Sequence, residues 1–372
     1  MFRQISCILV LTGVLLLARA AGAEVRIGLA NPLSGPYAVS GERNRVAVQL
    51  AIAALNQAGG VLGQEVQLVV VDDGCESDRA AAAALELVKA GVDFVVGHMC
   101  SHASLTAAPI YEAAGVPMMS PDSTHPQLTE EGRGNVFRLI GRDDLQGRLA
   151  GDWLAYQRPP QRIAIIHDGT AYGRGLAEQA RERLREHGSS EALFAVYEPG
   201  QADFVRLVEE LQRAGIGVLF VGGYGPDAGR LIRVARDHGC RVQLVGGDGL
   251  AMEEFWAAAG SAGEGAVFTA RPNLTRIPAA ANVLAEFRAM GLGPLPWGLA
   301  AYAAVEVWAA AAARAGTVDP SQVIKAIHRG RFATALGRVG FDAKGDVEGA
   351  EWQWQIWHDG SYAPFDPPVA MR

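Results

Sequence analysis

Hydroxyls, carboxylates and tyrosines recur at one kind of position in this sequence, just past short apolar runs. Ser34-Gly35-Pro36 and Ser40 follow the run from Val25 to Ala30. His98, Cys100, Ser101 and His102 follow Val92 to Val96, and Asp122, Ser123 and Thr124 follow Val116 to Ser120. Asp168 and Tyr172 come after Arg162 to Ile166, Tyr224 after Val218 to Gly222, and Asp248 after Val242 to Val245. This set contains no lysine or arginine. Its hydroxyls suit a carboxylate, above all Ser101, which stands where a helix begins and where free N–H groups and the helix dipole favour an anion. Its carboxylates suit an ammonium group held in a dry cleft. Its tyrosines offer apolar walls with a polar tip. A Ser or Asp after a strand, taken alone, is more often a helix N-cap than a ligand group. The set as a whole points to a small zwitterion.

The elements that must position these residues alternate. Strand-like runs at Val25–Ala30, Val66–Val71, Val92–Val96 and Val116–Ser120 are separated by helical patterns at Asn44–Ala58, Ser77–Ala90 and Ser104–Ala114. The alternation restarts after Asn135–Ile140, with helices Leu145–Tyr156, Tyr172–His187, Phe204–Ala214 and Asp227–His238 between strands Arg162–Ile166, Ala192–Tyr197, Val218–Gly222 and Val242–Val245. Strand–helix alternation predicts an α/β chain with parallel sheets covered by helices on both faces. Two such sets joined near Gly141–Asp144 predict two lobes, in keeping with 372 residues at roughly 150 per domain. In open parallel sheets, ligands bind beyond the carboxyl ends of the strands, where the polar set falls. A third block, Pro278–Gly330, reads as helical and Ala-rich, and Ala300–Ala313 with Glu306 as its single charge reads as a largely buried helix. Strands at Arg338–Phe341 and Trp352–Trp357 close the pattern.

Several chemistries are disfavoured. The net charge of −7, with 33 Lys+Arg against 40 Asp+Glu and no basic block, does not suit nucleic acid. No G-x-S-x-G or G-x-x-x-x-G-K-[ST] occurs, and Gly173 with Gly175 lacks the third glycine of a dinucleotide loop. His167-Asp168 resembles a base with its orienting acid, but neighbours on an extended chain point to opposite sides. No catalytic residue and no cofactor is expected.

The first 23 residues read as a secretory signal. Arg3 precedes an apolar run from Ile5 to Leu17, too short to span a bilayer, and Ala21-Gly22-Ala23 supplies a cleavage site after about Ala23. Removing Arg3 and Arg19 and no acid leaves 31 − 40 = −9. The exported chain keeps Cys75, Cys100 and Cys240, which suggests one disulfide and one buried thiol. Cys75 and Cys100 lie just beyond the second and third strands, which could be sheet neighbours. A bridge there would pin the loop bearing Ser101. The rival for Cys100 is a metal set, since His98, Cys100 and His102 alternate as H-x-C-x-H, although this matches no standard zinc spacing.

With these residues in place, the chain resembles the periplasmic leucine/isoleucine/valine-binding proteins, a branch of the type I periplasmic binding proteins, from about Val25 to Trp357. The resemblance is carried by Ser34-Gly35-Pro36, Asp72-Asp73-Gly74-Cys75, Gly97-His98-Met99-Cys100-Ser101 and Ser120-Pro121 with Thr124. It continues through Asp144 with Gln146-Gly147, Ile165-Ile166-His167-Asp168 with Tyr172-Gly173, Gly222-Gly223-Tyr224 and Phe341-Asp342-Ala343-Lys344-Gly345-Asp346. It implies two doubly wound parallel-sheet lobes joined by three crossover strands, with lobe 1 formed by 24–142 plus 271–350 and lobe 2 by 143–270 plus 351–372. It implies a Cys75–Cys100 disulfide, a monomer in the periplasm, an amino-acid ligand of the branched-chain type or related, and delivery to an inner-membrane ABC permease. A module that senses an amino acid or amide and signals to a protein partner is the alternative. By position, Ser101 and Thr124 would hold the ligand carboxylate, with Ser123 beside them. Asp248 would hold the amino group, and Tyr172 and Tyr224 would line the second lobe. Ser40 stands where an aromatic often packs, Asp122 where a small residue is usual, and Asp248 where the longer Glu occurs. These three departures imply a wider or more polar side-chain pocket.

Overall fold

The computed structural model describes residues 24–157, 161–272, 274, 277–290 and 296–366; the expected signal segment, 1–23, lies outside them. Fourteen strands and twelve helices follow in order among these residues.

The first sheet is built from β1 (Val25–Asn31), β2 (Val66–Asp72), β3 (Phe94–Gly97), β4 (Met118–Ser120) and β5 (Val136–Arg138). All five are parallel, in the order β2-β1-β3-β4-β5. Interior positions such as Ile27, Leu29, Phe94, Val95 and Val96 are fully buried, as expected of strands covered on both faces. Helices α1 (Ala38–Gln57), α2 (Ser77–Lys89) and α3 (Ser101–Ala114) cover it. Three later helices, α10 (Ala281–Ala289), α11 (Pro296–Ala315) and α12 (Pro320–Arg329), return to the same lobe, α11 lying along α1. The Ala-rich α11 is the buried helix its composition predicts: Ala300, Ala303, Ala304 and Trp308 are fully covered, and Phe94 stacks on Trp308 with ring centroids 5.6 Å apart.

The second sheet holds β6 (Ile163–His167), β7 (Leu193–Val196), β8 (Val218–Gly222), β9 (Gln243–Gly246), β10 (Val267–Ala270), β13 (Gln353–His358) and β14 (Ser361–Pro364). Its order is β14-β13-β10-β9-β8-β6-β7. The first five in chain order are parallel, and β13 and β14 add an antiparallel edge. Helices α5 (Asp143–Ala155), α6 (Ala171–Glu186), α7 (Val205–Arg213), α8 (Gly225–Asp237) and α9 (Glu253–Ala259) flank this sheet. A short hairpin, β11 (Arg331–Thr334) with β12 (Gly337–Gly340), packs beneath α11 and α12. This is the two-lobed α/β architecture expected from the alternation, with three chain crossings after β5, β10 and β12.

The crossings are tied to one another. The fully buried guanidinium of Arg138, at the end of β5, pairs with Asp346 of the third crossing at 2.5 Å. The Arg138 N–H donates to the Gly345 carbonyl at 3.0 Å. Arg142 adds a second link to Asp346 at 3.1 Å, and the Trp352 indole N–H donates to the Arg142 carbonyl at 3.0 Å. No helix among the described residues is long and apolar enough to cross a membrane.

One expectation about the sheet is corrected. The strands that precede Cys75 and Cys100 are not neighbours, because β1 lies between β2 and β3. The two cysteines are nonetheless bonded, with Cα atoms 5.5 Å apart. Each sits in the chain that leaves its strand: Cys75 takes a positive φ of 60° in the turn after β2, and Cys100 is the N-cap of α3. The turn thus reaches across the end of β1. Cys240 is unpaired and buried, as expected.

Candidate ligand-binding cleft

A pocket opens between the carboxyl ends of the two sheets. Ser40, Met99, Ser101, Asp122, Thr124, Tyr172, Tyr224, Asp248, Gly249 and Met252 line it.

One pole lies at the start of α3. The Ser101 Oγ accepts the N–H groups of Thr124 and His125, both at 3.3 Å. Its own hydroxyl proton meets no acceptor among the described residues, so it remains available to an anion at the positive end of a 14-residue helix. The disulfide fixes this turn by tying the residue before Ser101 to the loop after β2.

The other pole is a buried acid cluster at the start of α5. The Tyr172 hydroxyl donates to Asp248 Oδ1 at 2.8 Å and accepts the Gly249 N–H at 2.9 Å. Gln146 Nε2 donates to the same oxygen at 3.0 Å and to Asp143 Oδ1 at 3.2 Å. Gln146 Oε1 accepts from the Asp248 N–H at 2.8 Å and from Thr269 Oγ1 at 2.7 Å. Asp248 Oδ2 accepts nothing from the described residues. Burial pushes the Asp248 carboxyl above the ordinary carboxylate range. Burial, and then the charge of Asp248, pushes Asp143 well above it. Two carboxylates in one dry place favour a cationic partner, which relieves both effects. Gly249 permits the tight packing here: a Cβ on it would stand 2.4 Å from the Gly223 carbonyl oxygen and 3.1 Å from the Tyr172 hydroxyl.

Thr124 joins the two poles. Its hydroxyl donates to Asp143 Oδ2 at 3.0 Å, and its carbonyl accepts the Asp143 N–H at 3.0 Å. With its proton directed away, Oγ1 presents a lone pair to the pocket.

The walls are mixed. Tyr172 and Tyr224 lie with ring centroids 4.9 Å apart, and Tyr224 meets Tyr37 of the other lobe at 5.0 Å. Met99 and Met252 complete the apolar side. Asp122 makes a polar end. Its Oδ2 accepts from Asn44 Nδ2 at 2.7 Å, and its Oδ1 accepts from Arg271 Nη2 at 3.1 Å. Arg271 also donates to the Pro121 carbonyl at 3.0 Å. Burial raises the Asp122 carboxyl to about 6 in spite of the Arg271 charge.

Seven of the eight side chains expected from the sequence therefore line one pocket: Ser40, Ser101, Asp122, Thr124, Tyr172, Tyr224 and Asp248. Ser123 lies behind it, its Oγ within 3.1 Å of the His98 and Met99 carbonyls and 2.6 Å from Ser104 Oγ. The Ser40 hydroxyl is occupied by Glu254 at 3.0 Å. In the H-x-C-x-H set, Cys100 is in the disulfide. His98 Nδ1 is 2.6 Å from Asp73 Oδ2 and its Nε2 3.1 Å from the Tyr111 hydroxyl, while His102 Nε2 is 2.6 Å from the Cys75 carbonyl oxygen. His167 Nδ1 accepts the Gly169 N–H at 3.0 Å, and Asp168 Oδ1 binds the Thr170 N–H and hydroxyl. These residues shape a turn. Sequence reasoning did not single out Met99, Asp143, Met252, Glu254 or Arg271 for the site. Arg271 follows β10 directly, and recognising that strand would have exposed it.

Known proteins resemble this chain over most of its length. The family described as "Periplasmic binding protein" matches residues 24–350. A "Leu/Ile/Val-binding protein homolog 1" of Brucella suis is 36% identical over 356 residues, 95% of this chain and 96% of that protein. A "leucine-, isoleucine-, valine-, threonine-, and alanine-binding protein" of Pseudomonas aeruginosa is 36% identical over 91% of each chain. The leucine-binding protein LivK of Thermotoga maritima superposes with a TM-score of 0.84 at 27% identity, covering 92% of this chain and 98% of that one. LivJ of Streptococcus pneumoniae, solved with isoleucine, superposes at 0.82 and 25% identity, over 91% and 97%. A two-lobed fold with a polar-and-aromatic pocket between the lobes, and relatives matched over nearly their full length, lead to one assignment: the chain belongs to the periplasmic binding protein family, among its Leu/Ile/Val-binding proteins.

Proposed function

We propose that this protein is the exported, periplasmic substrate-binding component of an ABC transporter for a free amino acid, released from its signal segment after about Ala23 and delivering its ligand to an inner-membrane permease. The observation that carries this reading is the pair of opposed poles. Ser101 offers a spare hydroxyl proton at a helix N-terminus, and across the pocket Asp248 offers a spare carboxylate oxygen. An α-amino acid has matching charges.

In this reading the ligand carboxylate takes the Ser101 hydroxyl and the N–H groups at the start of α3. The ammonium takes Asp248 Oδ2 and the lone pair of Thr124 Oγ1, whose proton is directed to Asp143. Thr124 so moves from the carboxylate pole to the amino pole. The side chain lies among Tyr172, Tyr224, Met99 and Met252 and ends near Ser40 and Asp122. A pocket apolar on one side and polar at its end suits a short side chain, aliphatic or hydroxylated. The two Brucella and Pseudomonas relatives carry names of that range.

The test is a thermal-unfolding screen of the purified protein against the common amino acids and their amides. A bound ligand at about 100 times its Kd stabilises by about 2.7 kcal/mol. Asp248→Ala should weaken the best ligand by roughly 2–5 kcal/mol, the scale for leaving a buried charge unpaired. A screen with no stabilising amino acid, or an unchanged affinity in Asp248→Ala, overturns the proposal.

A further inference from the structure

Helix α1 and helix α9 belong to different lobes and meet over the pocket mouth. Ser40, the third residue of α1, donates its backbone N–H to Glu254 Oε1 at 3.0 Å. The Ser40 hydroxyl lies 3.0 Å from both oxygens of the same carboxylate. The first N–H groups of a helix have no partner within it, so a carboxylate from across the cleft here caps α1. Glu254 is only 9% exposed, so this contact is shielded from water. One turn further along α1, Arg43 pairs with the neighbouring Glu253. Met252, which precedes both acids and is the N-cap of α9, lines the pocket. The interlobe contact and a ligand wall are thus carried by three consecutive residues.

We infer that Glu254 is a positioning residue for ligand binding: it fastens the lobes in the closed form by capping α1 through Ser40, with Arg43–Glu253 as an auxiliary pair. Ser40 then acts through Glu254 and not as a hydrogen-bonding partner of the ligand. The consequence is specific. A contact between protein groups adds the same increment for every ligand that lets the lobes close. Its loss lowers all affinities by one factor and leaves their ranking unchanged. Since the contact is made only when the lobes meet, its loss speeds ligand release more than it slows capture. The affinity arm of the test rests on the amino-acid reading above; the scattering arm does not.

The experiment compares the full exported chain with Glu254→Gln, Glu254→Ala, Ser40→Ala and the Ser40→Ala/Glu254→Ala double variant, each checked for native circular dichroism. We expect Glu254→Ala to weaken every ligand about tenfold (about 1.4 kcal/mol), with the change in the dissociation rate. Glu254→Gln, which keeps an acceptor oxygen, should lose less. The double variant should be no weaker than Glu254→Ala, because the two side chains act as one unit. Without ligand, small-angle scattering should give a larger radius of gyration for Glu254→Ala than for the parent. Three outcomes overturn the inference: affinities and release rates unchanged in Glu254→Ala, a reordered ligand ranking, which would make Glu254 a ligand contact, or identical scattering of the ligand-free parent and variant. Failure of every amino acid to bind would sink the proposed function, and the scattering comparison would still decide the latch.

Discussion

Asp248 stands one methylene shorter than the glutamate that the family resemblance led us to expect. Gln146 and Tyr172 converge on its Oδ1, and Oδ2 accepts nothing from the described residues. Because burial raises Asp248, and burial with the Asp248 charge raises Asp143, the empty site holds protons more tightly than free carboxyls do. An ammonium ligand needs the ionised form. Affinity should therefore fall as pH is lowered, and ligand binding near the acid limb should release protons, which calorimetry in buffers of different ionisation enthalpy would read. Asp248→Asn should bind weakly with a flatter pH profile. An equally steep profile in that variant would move the titration elsewhere. Stability of the ligand-free protein runs the other way. Asp122 and Asp168 are both raised to about 6 by burial, against roughly 3.9 for an unfolded aspartate. Their contribution is present below about pH 4 and is lost as pH rises through about 6. At this scale the sequence was informative about residues that follow strands, since strand ends gather at the cleft. It was silent on Glu254, whose partner lies 214 residues away. Helix-start acids look alike whether they cap their own helix or another.

Among the elements, the turn after β2 and the start of α3 depend on each other through Cys75–Cys100. A loop with a sequence separation of 25 should contribute roughly 3–4 kcal/mol through chain entropy. The Cys75→Ala/Cys100→Ala variant should lose about that much in denaturant titration and bind more weakly, because Ser101 follows the freed residue. Reductant should lower the stability of the parent and leave the variant unchanged. Equal stability of the two in oxidising buffer would contradict this account. The pairing was legible and its geometric rationale was not. Strand order is set by which βα crossovers pack, and nothing local to β2 or β3 says that β1 intervenes. Likewise β10 went unread as a strand. Its four residues follow a glycine-containing turn, and an interval that short carries little periodic signal. With β10 went Arg271, and with Arg271 the reason that a carboxylate at position 122 can be buried at all.

For the whole molecule, two lobes meet along a ridge made by Tyr37 on Tyr224, Ser40 with Glu254, and Arg43 with Glu253. The crossings beneath are locked by the buried Arg138–Asp346 pair. That division suits lobes that move as units about a firm base. Adding a tight ligand should shrink the radius of gyration, and an unchanged scattering curve at saturation would mean that binding requires no closure. The two-lobed plan was legible because alternation of strand and helix is a long-range pattern written locally. The extra edge formed by β13 and β14 was only half visible: the Trp352–Trp357 alternation marks the first strand, while β14 is mostly exposed and bears no apolar signature.

Cys240 gives the molecule a built-in reporter. Beyond residue 23 the sequence has three cysteines, two of them bridged, so this buried thiol is the single site there for a thiol-specific dye. It lies in the core of the lobe that carries Asp248, away from the cleft lining. Its labelling rate is therefore a clock for opening of that core. Saturating ligand should slow the clock, without any engineered cysteine or fluorophore to disturb the protein under study.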